Sequence, residues 1–271
     1  MKQACHNYTG ADFSFVVCAY KESKYLEECI QSVMNQSLGV NVVISTSTPN
    51  SFVMGLAKKY GLEVFVNEGP QGIAEDWNFA YSCAKTSIVS IAHQDDVYGP
   101  DYAKTMLELV NGCNKPLIAF SDYGELRDGV VVTDNKLLRI KKVMLFPLRS
   151  MILQSSVCMR RRVLSLGSAI CCPSVTMIKD NLPEVLFEPH FKSNVDWEAW
   201  EKLTRLKGQF VYNHSVQMYH RIHEESTTTQ LINDNSRGQE DLEMFCKFWP
   251  KGMAKVINKI YSKGEESNEL R

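Results

Sequence analysis

Two adjacent carboxylates, Asp95 and Asp96, come just after the apolar run Ser87 to Ala92, separated from it only by His93 and Gln94. Neighbouring carboxylates at the end of a buried strand repel each other and lose hydration, so a site that keeps both supplies a cation or strong donors. Mg2+ or Mn2+, held by one or two carboxylates with substrate phosphates completing the shell, is the usual arrangement for nucleotide diphosphates. Capping of the turn before Pro100 is the competing structural role. Another acid, Asp196, opens a helical pattern, where the macrodipole alone favours a negative charge. Further on, His220, Arg221 and His223 cluster with Glu224 and Glu225, and alternation puts Arg221 and His223 on one side of a strand.

Regular elements must carry these residues. Phe13 to Tyr20 is apolar and β-branched, and Glu22 to Gln36 carries apolar residues at helical spacing. Strand signals recur at Asn41 to Ile44, Leu62 to Val66 and Ser87 to Ala92, separated by helical patterns at Ser51 to Tyr60 and Ile73 to Ala84. Such alternation predicts an α/β layer with a largely parallel sheet, whose ligands sit beyond the carboxyl ends of the strands. The acidic pair falls at such an end. A helix over Tyr102 to Val110, a strand over Leu117 to Tyr123, a hairpin-like segment through Val130 to Thr133 and a helix-rich second half follow. No repeat or long linker interrupts the chain, so one domain is expected.

Composition narrows the partners. The 271 residues are 44% hydrophobic, enough for a sizeable core, and 30 basic against 31 acidic residues leave a formal charge of -1. No overall positive field exists to recruit nucleic acid or anionic lipid, so either partner requires a local patch. Met1 to Asp12 lacks a signal-like apolar run and no stretch approaches a spanning helix, so a cytoplasmic location is expected. Nine scattered cysteines, an odd number, read as reduced thiols.

Longer motifs sharpen the picture. Val16 to Ser37 (VVCAYKESKYLEECIQSVMNQS) joins a strand and short turn to a helix of the form Leu-Glu-x-x-Ile-x-Ser-Val-x-x-Gln. Asn67 to Asn78 (NEGPQGIAEDWN) has an Asn-x-Gly loop and an Asn in the helix after it, and Ile91 to Pro100 (IAHQDDVYGP) has a strand ending in the acidic pair. Val195 to Tyr212 (VDWEAWEKLTRLKGQFVY) and Met218 to Thr228 (MYHRIHEESTT) complete the series. In this order the blocks resemble glycosyltransferase family 2 over most of residues 13–229.

That resemblance implies a GT-A fold: α/β, with a mixed, mostly parallel central sheet flanked by helices. Residues 1–271 would form one domain, with a nucleotide-sugar-binding part at 13–123, an acceptor-side part at 124–229 and a helical tail at 230–271. The implied activity is inverting transfer of a sugar from a nucleotide-diphosphate donor to an acceptor hydroxyl, in bacterial surface glycan or polysaccharide synthesis. Asp196 falls on the family's general base, and Asp95, Asp96 and His223 on the ligands of a divalent metal, Mn2+ or Mg2+. Donor contacts are expected from Ala19, Tyr20, Glu22, Ser45, Gly72, Trp77, Asn78, Asp95 and Arg221. Trp197 and Trp200 offer aromatic faces to an acceptor sugar, although their i, i+3 spacing equally suits core packing. The acceptor would be a glycan or a lipid-linked glycan, with no nucleic acid partner and with peripheral membrane contact as an open possibility.

The chain departs from the family pattern at three places. Ser45-Thr46-Ser47-Thr48 stands where the family has an acidic pair, Trp77 where an Arg is frequent, and His93 where the Asp-x-Asp pattern begins. A hydroxyl does not copy a carboxylate that accepts an imide N–H, so the donor base stays open, and an imidazole ligand shifts preference away from Mg2+. These losses keep alive a non-catalytic nucleotide-sugar or glycan binding protein on the same scaffold. Retention of Asp95, Asp96 and Asp196 together favours the enzyme. A nucleotidyltransferase is disfavoured, because Val16 to Lys24 contains no glycine for a phosphate-cradling loop.

Overall fold

The computed structural model describes residues 6–223 and 236–266. β1 (Phe13–Ala19), β2 (Asn41–Thr46), β3 (Glu63–Val66) and β4 (Ile88–His93) run parallel in the order β3-β2-β1-β4, linked by α1 (Leu26–Met34), α2 (Ser51–Tyr60) and α3 (Ile73–Cys83). β1 and β4 are buried on both faces, which is why their sequences are nearly unbroken apolar runs. α2 stops at Gly61, whose positive φ of 65° lets the chain turn back and satisfy the last carbonyls.

After β4 come β5 (Val97–Tyr98), α4 (Tyr102–Asn111), β6 (Pro116–Arg127), β7 (Val130–Val132), α5 (Lys136–Leu145), α6 (Met151–Gln154), α7 (Val157–Val163), β8 (Val175–Ile178), α8 (Val195–Leu203), β9 (Gln209–Ile222), α9 (Ser236–Cys246) and α10 (Lys251–Glu266). β8 lies antiparallel between β4 and β6, and β9 runs parallel to β6. Two reversals restore direction, so β9 ends at the same edge of the sheet as β1 to β4. That edge gathers the residues of interest.

One apolar layer packs Leu26, Ile30, Val33, Tyr102 and Met106 on one face of the sheet, and another packs Phe187, Trp197, Trp200, Phe210 and Phe245 on the other. The sequence reading differs in detail. α1 begins at Leu26 rather than Glu22, because Lys21 adopts φ 55° and its N–H donates to Thr48 Oγ1, turning the chain before the helix starts. β6 continues past Tyr123 to Arg127, since β9 and the β7 hairpin both pair with its far half. The helix-rich second half therefore also holds β8 and the longest strand, 14 residues. Residues 224–228 of the last motif, with Glu224 and Glu225, lie outside the described residues.

Gly208 sets the start of β9. At φ +150° an added Cβ would meet Leu117 Cγ at 2.6 Å and the Lys115 carbonyl oxygen at 2.7 Å. Gly208→Ala should cost at least about 1–3 kcal/mol from overpacking, read as a lower urea midpoint; an unchanged midpoint would show that β9 can shift to accommodate it.

Candidate active site

The acidic turn after β4 is held by β9. Asp96 is completely buried, and its Oδ1 accepts the Arg221 backbone N–H at 2.9 Å and lies 2.9 Å from His220 Nδ1. Burial works against a charged His220, but the Asp96 carboxylate lifts its pKa to about 9, so the two form an ion pair at neutral pH. Antiparallel pairing of β5 with β9, Val97 opposite Tyr219, fixes the turn in register with these partners. Arg221 completes the brace: its Nε donates to the Asp95 carbonyl at 2.8 Å, its Nη2 to Glu28 Oε2 at 2.5 Å, and its guanidinium lies 4.3 Å from the Tyr25 ring centre.

Asp95 points elsewhere. Its Oδ2 accepts from His223 Nε2 at 2.8 Å, and both side chains keep partial solvent contact. Burial alone would raise Asp95, but His223 and the imidazoles of His220 and His93 hold its carboxyl below the usual carboxylate range. Two ligands at right angles, each about 2.1 Å from an ion, sit about 3 Å apart, so this oxygen and nitrogen fit a shared divalent ion. The donor set suits Mn2+ better than Mg2+. Among the described residues no three His, Cys, Asp or Glu side chains converge as a metal-binding group. Asp96 is set apart from this pair by its burial: Oδ1 is committed to β9, while Oδ2 is buried with no hydrogen-bond partner, an orphaned carboxylate oxygen that a cation could satisfy.

Several expected donor contacts are likewise occupied. Ser45 is buried with its hydroxyl 3.5 Å from Cys18 Sγ, and Ala19 is buried at the end of β1. Asn78 donates to the Phe187 carbonyl and accepts from the Leu186 and Phe187 N–H groups, clamping that loop to α3 instead of facing a ligand. Arg221, spent on Glu28 and Asp95, positions the turn and presents no free fork. Tyr20 is half exposed, with its backbone bonded both ways to the Gln94 amide, and Glu22 is exposed beside it. Gly72 starts α3 at φ 155°, with the Glu75 carboxylate where a Cβ would go.

Trp77 stacks on His93 at 4.9 Å and 19°, so two of the three departures from the family pattern touch each other. Burial keeps the His93 imidazole below its usual range despite Asp96 and Asp95 nearby, which leaves it neutral at pH 7. At the third departure the acid missing from the end of β2 is supplied from α3: Asp76 accepts from Ser47 Oγ at 2.9 Å and from Asn67 Nδ2 at 2.8 Å.

Asp196 lies in the first turn of α8, and its Oδ1 accepts the Trp197 N–H at 2.7 Å. Burial pushes its pKa up to about 6, against the pull of Lys141. Trp197 and Trp200 both have 0% exposure, and Trp197 Nε1 donates to the Leu164 carbonyl. They are core residues, and the stacking role expected of them is withdrawn. Cys171, on the loop before β8, is raised by burial and then feels Lys141, Asp96 and Asp196, so both carboxylates lie within electrostatic reach of this loop. The sequence reading gave no role to His220, Glu28, Asp76 or Lys141. His220 stood in the visible cluster, but strand alternation placed it on the wrong side; only the tight β5 turn brings Asp96 to it.

Residues 14–143 match the family model described as Glycosyl transferase family 2. No curated protein matches significantly. Among solved structures, S. aureus TarS 1-349 in complex with UDP-GlcNAc superposes at TM-score 0.59 with 17% identity, over 91% of this chain and 70% of that one. Mannosyltransferase PcManGT from Pyrobaculum calidifontis, with GDP-Man and Mn2+, gives 0.59 and 12% over 94% and 70%. Glucosyl-3-phosphoglycerate synthase from Mycobacterium tuberculosis, with Mn2+, UDP and glucosyl-3-phosphoglycerate, gives 0.53 and 16% over 84% and 80%. The fold is therefore GT-A. Residues 14–143, just under half of the chain, are thus similar in sequence to glycosyltransferase family 2, and the GT-A fold agrees with that similarity.

The two acids should separate on substitution. Asp96→Ala leaves the part-buried His220 ring and the buried Arg221 N–H without their acceptor and should cost about 1–3 kcal/mol, whereas Asp95→Ala should shift the urea midpoint little and abolish metal-dependent ligand binding. Equal effects on stability would contradict the division of labour.

Proposed function

We propose that this chain is an inverting glycosyltransferase that moves a sugar from a nucleotide-diphosphate donor to an acceptor hydroxyl, with residues 13–123 serving the donor and 124–229 the acceptor. The observation that carries this reading is the pairing of two unlike sites at one sheet edge. Asp95 with His223 offers a cation-binding pair, while Asp196 is an acid whose pKa of about 6 suits proton removal near neutrality.

Asp196 would take the proton of the attacking hydroxyl as it bonds to the anomeric carbon. Its Oδ1 is anchored by the Trp197 N–H, leaving Oδ2 for the acceptor. A divalent ion at Asp95 and His223, when bound, would neutralise charge developing on the leaving diphosphate. Arg221 and His220 hold that corner rigid, so little reorganisation is needed during the reaction. Tyr20, Trp77 and the Asp76 corner are the groups available to a nucleoside. A bacterial glycan or polysaccharide acceptor accords with the family resemblance. No helix of the described residues is long and apolar enough to cross a membrane.

Titration with UDP-, GDP-, CDP- and dTDP-sugars, with and without Mn2+, tests the reading. One donor should bind in a metal-dependent way, and binding should vanish in Asp95→Ala. If no donor binds under any metal, the scaffold serves as a binding protein for something else. Asp196→Asn should keep donor affinity but lower kcat about 100-fold or more. The native kcat/KM should rise with pH through about 6 and level above it; a pH-independent rate would remove Asp196 as base.

Stability should show the same group with the opposite sign. The folded pKa lies above the unfolded value of about 4, so the native state binds the proton more tightly, and stability falls as pH rises from about 4 to about 6. Asp196→Asn escapes that loss. Its Tm advantage over the native protein should grow across this window and then stay constant, as thermal melts at stepped pH would show.

A further inference from the structure

Residues 135–179 contain nine Lys and Arg and no Asp or Glu, in a chain whose net charge is -1. This acid-free stretch also carries the two most exposed large apolar side chains of the described residues, Ile152 at 83% and Val143 at 73%, together with Phe146 at 62% and Met151 at 58%. The arrangement is two-sided. Leu138, Leu145 and Leu148 are buried beneath, while Ile140, Val143 and Phe146 follow at three-residue intervals on the outside of α5 and the 3-10 turn after it.

Not every cation is available. Arg139 pairs with Asp134, Arg160 is buried with Nη2 donating to the Leu206 carbonyl, and Arg161 pairs with Glu201. Lys136 and Arg149 remain exposed, and Lys142 is half-buried with its Nζ on the Thr133 carbonyl. Arg149 lies 5.3 Å from the Phe146 ring centre, so charge and apolar surface are presented together. Water disfavours such a patch. A nucleic acid would satisfy the cations but leave the aliphatic side chains wet, whereas an anionic lipid interface takes both: apolar groups among the acyl chains, ammonium and guanidinium groups at the headgroups.

The inner side of α5 gives this placement a consequence. Lys141 lies over the Tyr123 ring at 5.2 Å and acts electrostatically on both Cys171 and Asp196. One helix thus joins the outward patch to the acceptor side of the cleft.

We propose that the face formed by α5, the following turn and α6 docks on an anionic lipid bilayer, bringing the acceptor side of the cleft to headgroup level. The docking stands on the patch itself; the consequence for the acceptor rests on the glycosyltransferase reading. Co-sedimentation with phosphatidylcholine vesicles, with and without phosphatidylglycerol, tests it. The protein should pellet with the anionic vesicles, and less so as salt increases. The triple variant Val143→Asp, Phe146→Asp, Ile152→Asp should partition at least about tenfold less, with unchanged circular dichroism, Tm and donor binding. Loss of donor binding in the native protein would count against the enzyme reading alone. The docking proposal is overturned if neither vesicle retains the protein, or if the triple variant binds as the native does. It is also overturned if binding is lost instead in Val256→Asp/Ile260→Asp on α10. Self-association abolished by the triple variant, without vesicle binding, would assign the face to a second copy.

Discussion

An ion pair between the fully buried Asp96 and the part-buried His220 organises the strand-end edge of this protein. Asp96 has no solvent contact, and its Oδ1 also takes the Arg221 backbone N–H. A carboxylate and an imidazolium removed from water gain little net energy from each other, since desolvation offsets their attraction. Their value lies in specificity. Any register of β9 other than the observed one would leave a buried charge unpaired, so the pair fixes where the strand ends and hence where His223 emerges beside Asp95.

From this constraint the rest follows outward. With the turn pinned, Arg221 is free to reach across to Glu28 on α1 and to the Asp95 carbonyl, tying the first and last motifs of the chain together across 193 residues. These contacts hold the corner where the part-exposed Asp95 and His223 side chains meet each other. Asp196 stands under the opposite condition. Burial raises its pKa, at some expense of stability above pH 6. Two carboxylates are thus driven apart in acidity by their surroundings, the condition under which one could hold an ion and the other accept a proton.

The departures from the family pattern also form a physical set. Trp77 and His93 stack on each other, and burial keeps His93 neutral. Asp76 enters from α3 into the corner left without acids by Ser45 to Thr48. Read singly, each position counts as a loss. In space they are substitutions, which weakens the argument for a scaffold that has given up its ligand.

The parallel strands, the helices between them and the position of Asp95 at a strand end were legible in sequence, because buried strands need continuous apolar runs and amphipathic helices need periodic ones. The resemblance likewise singled out Asp196 and His223 as candidates. What periodicity does not encode is which polar atoms meet across long separations. Asp96 and His220 are 124 residues apart, and their contact exists only through the β5–β9 register. The same limit misassigned Trp197 and Trp200: helical spacing puts two indoles on one face, but only the packing of α9 and α10 over α8 decides that this face is core. Residue type and spacing determined which chemistry was possible at each strand end; the sheet's two reversals decided which of those ends became one site, because only tertiary pairing sets distances between groups that the chain itself keeps far apart.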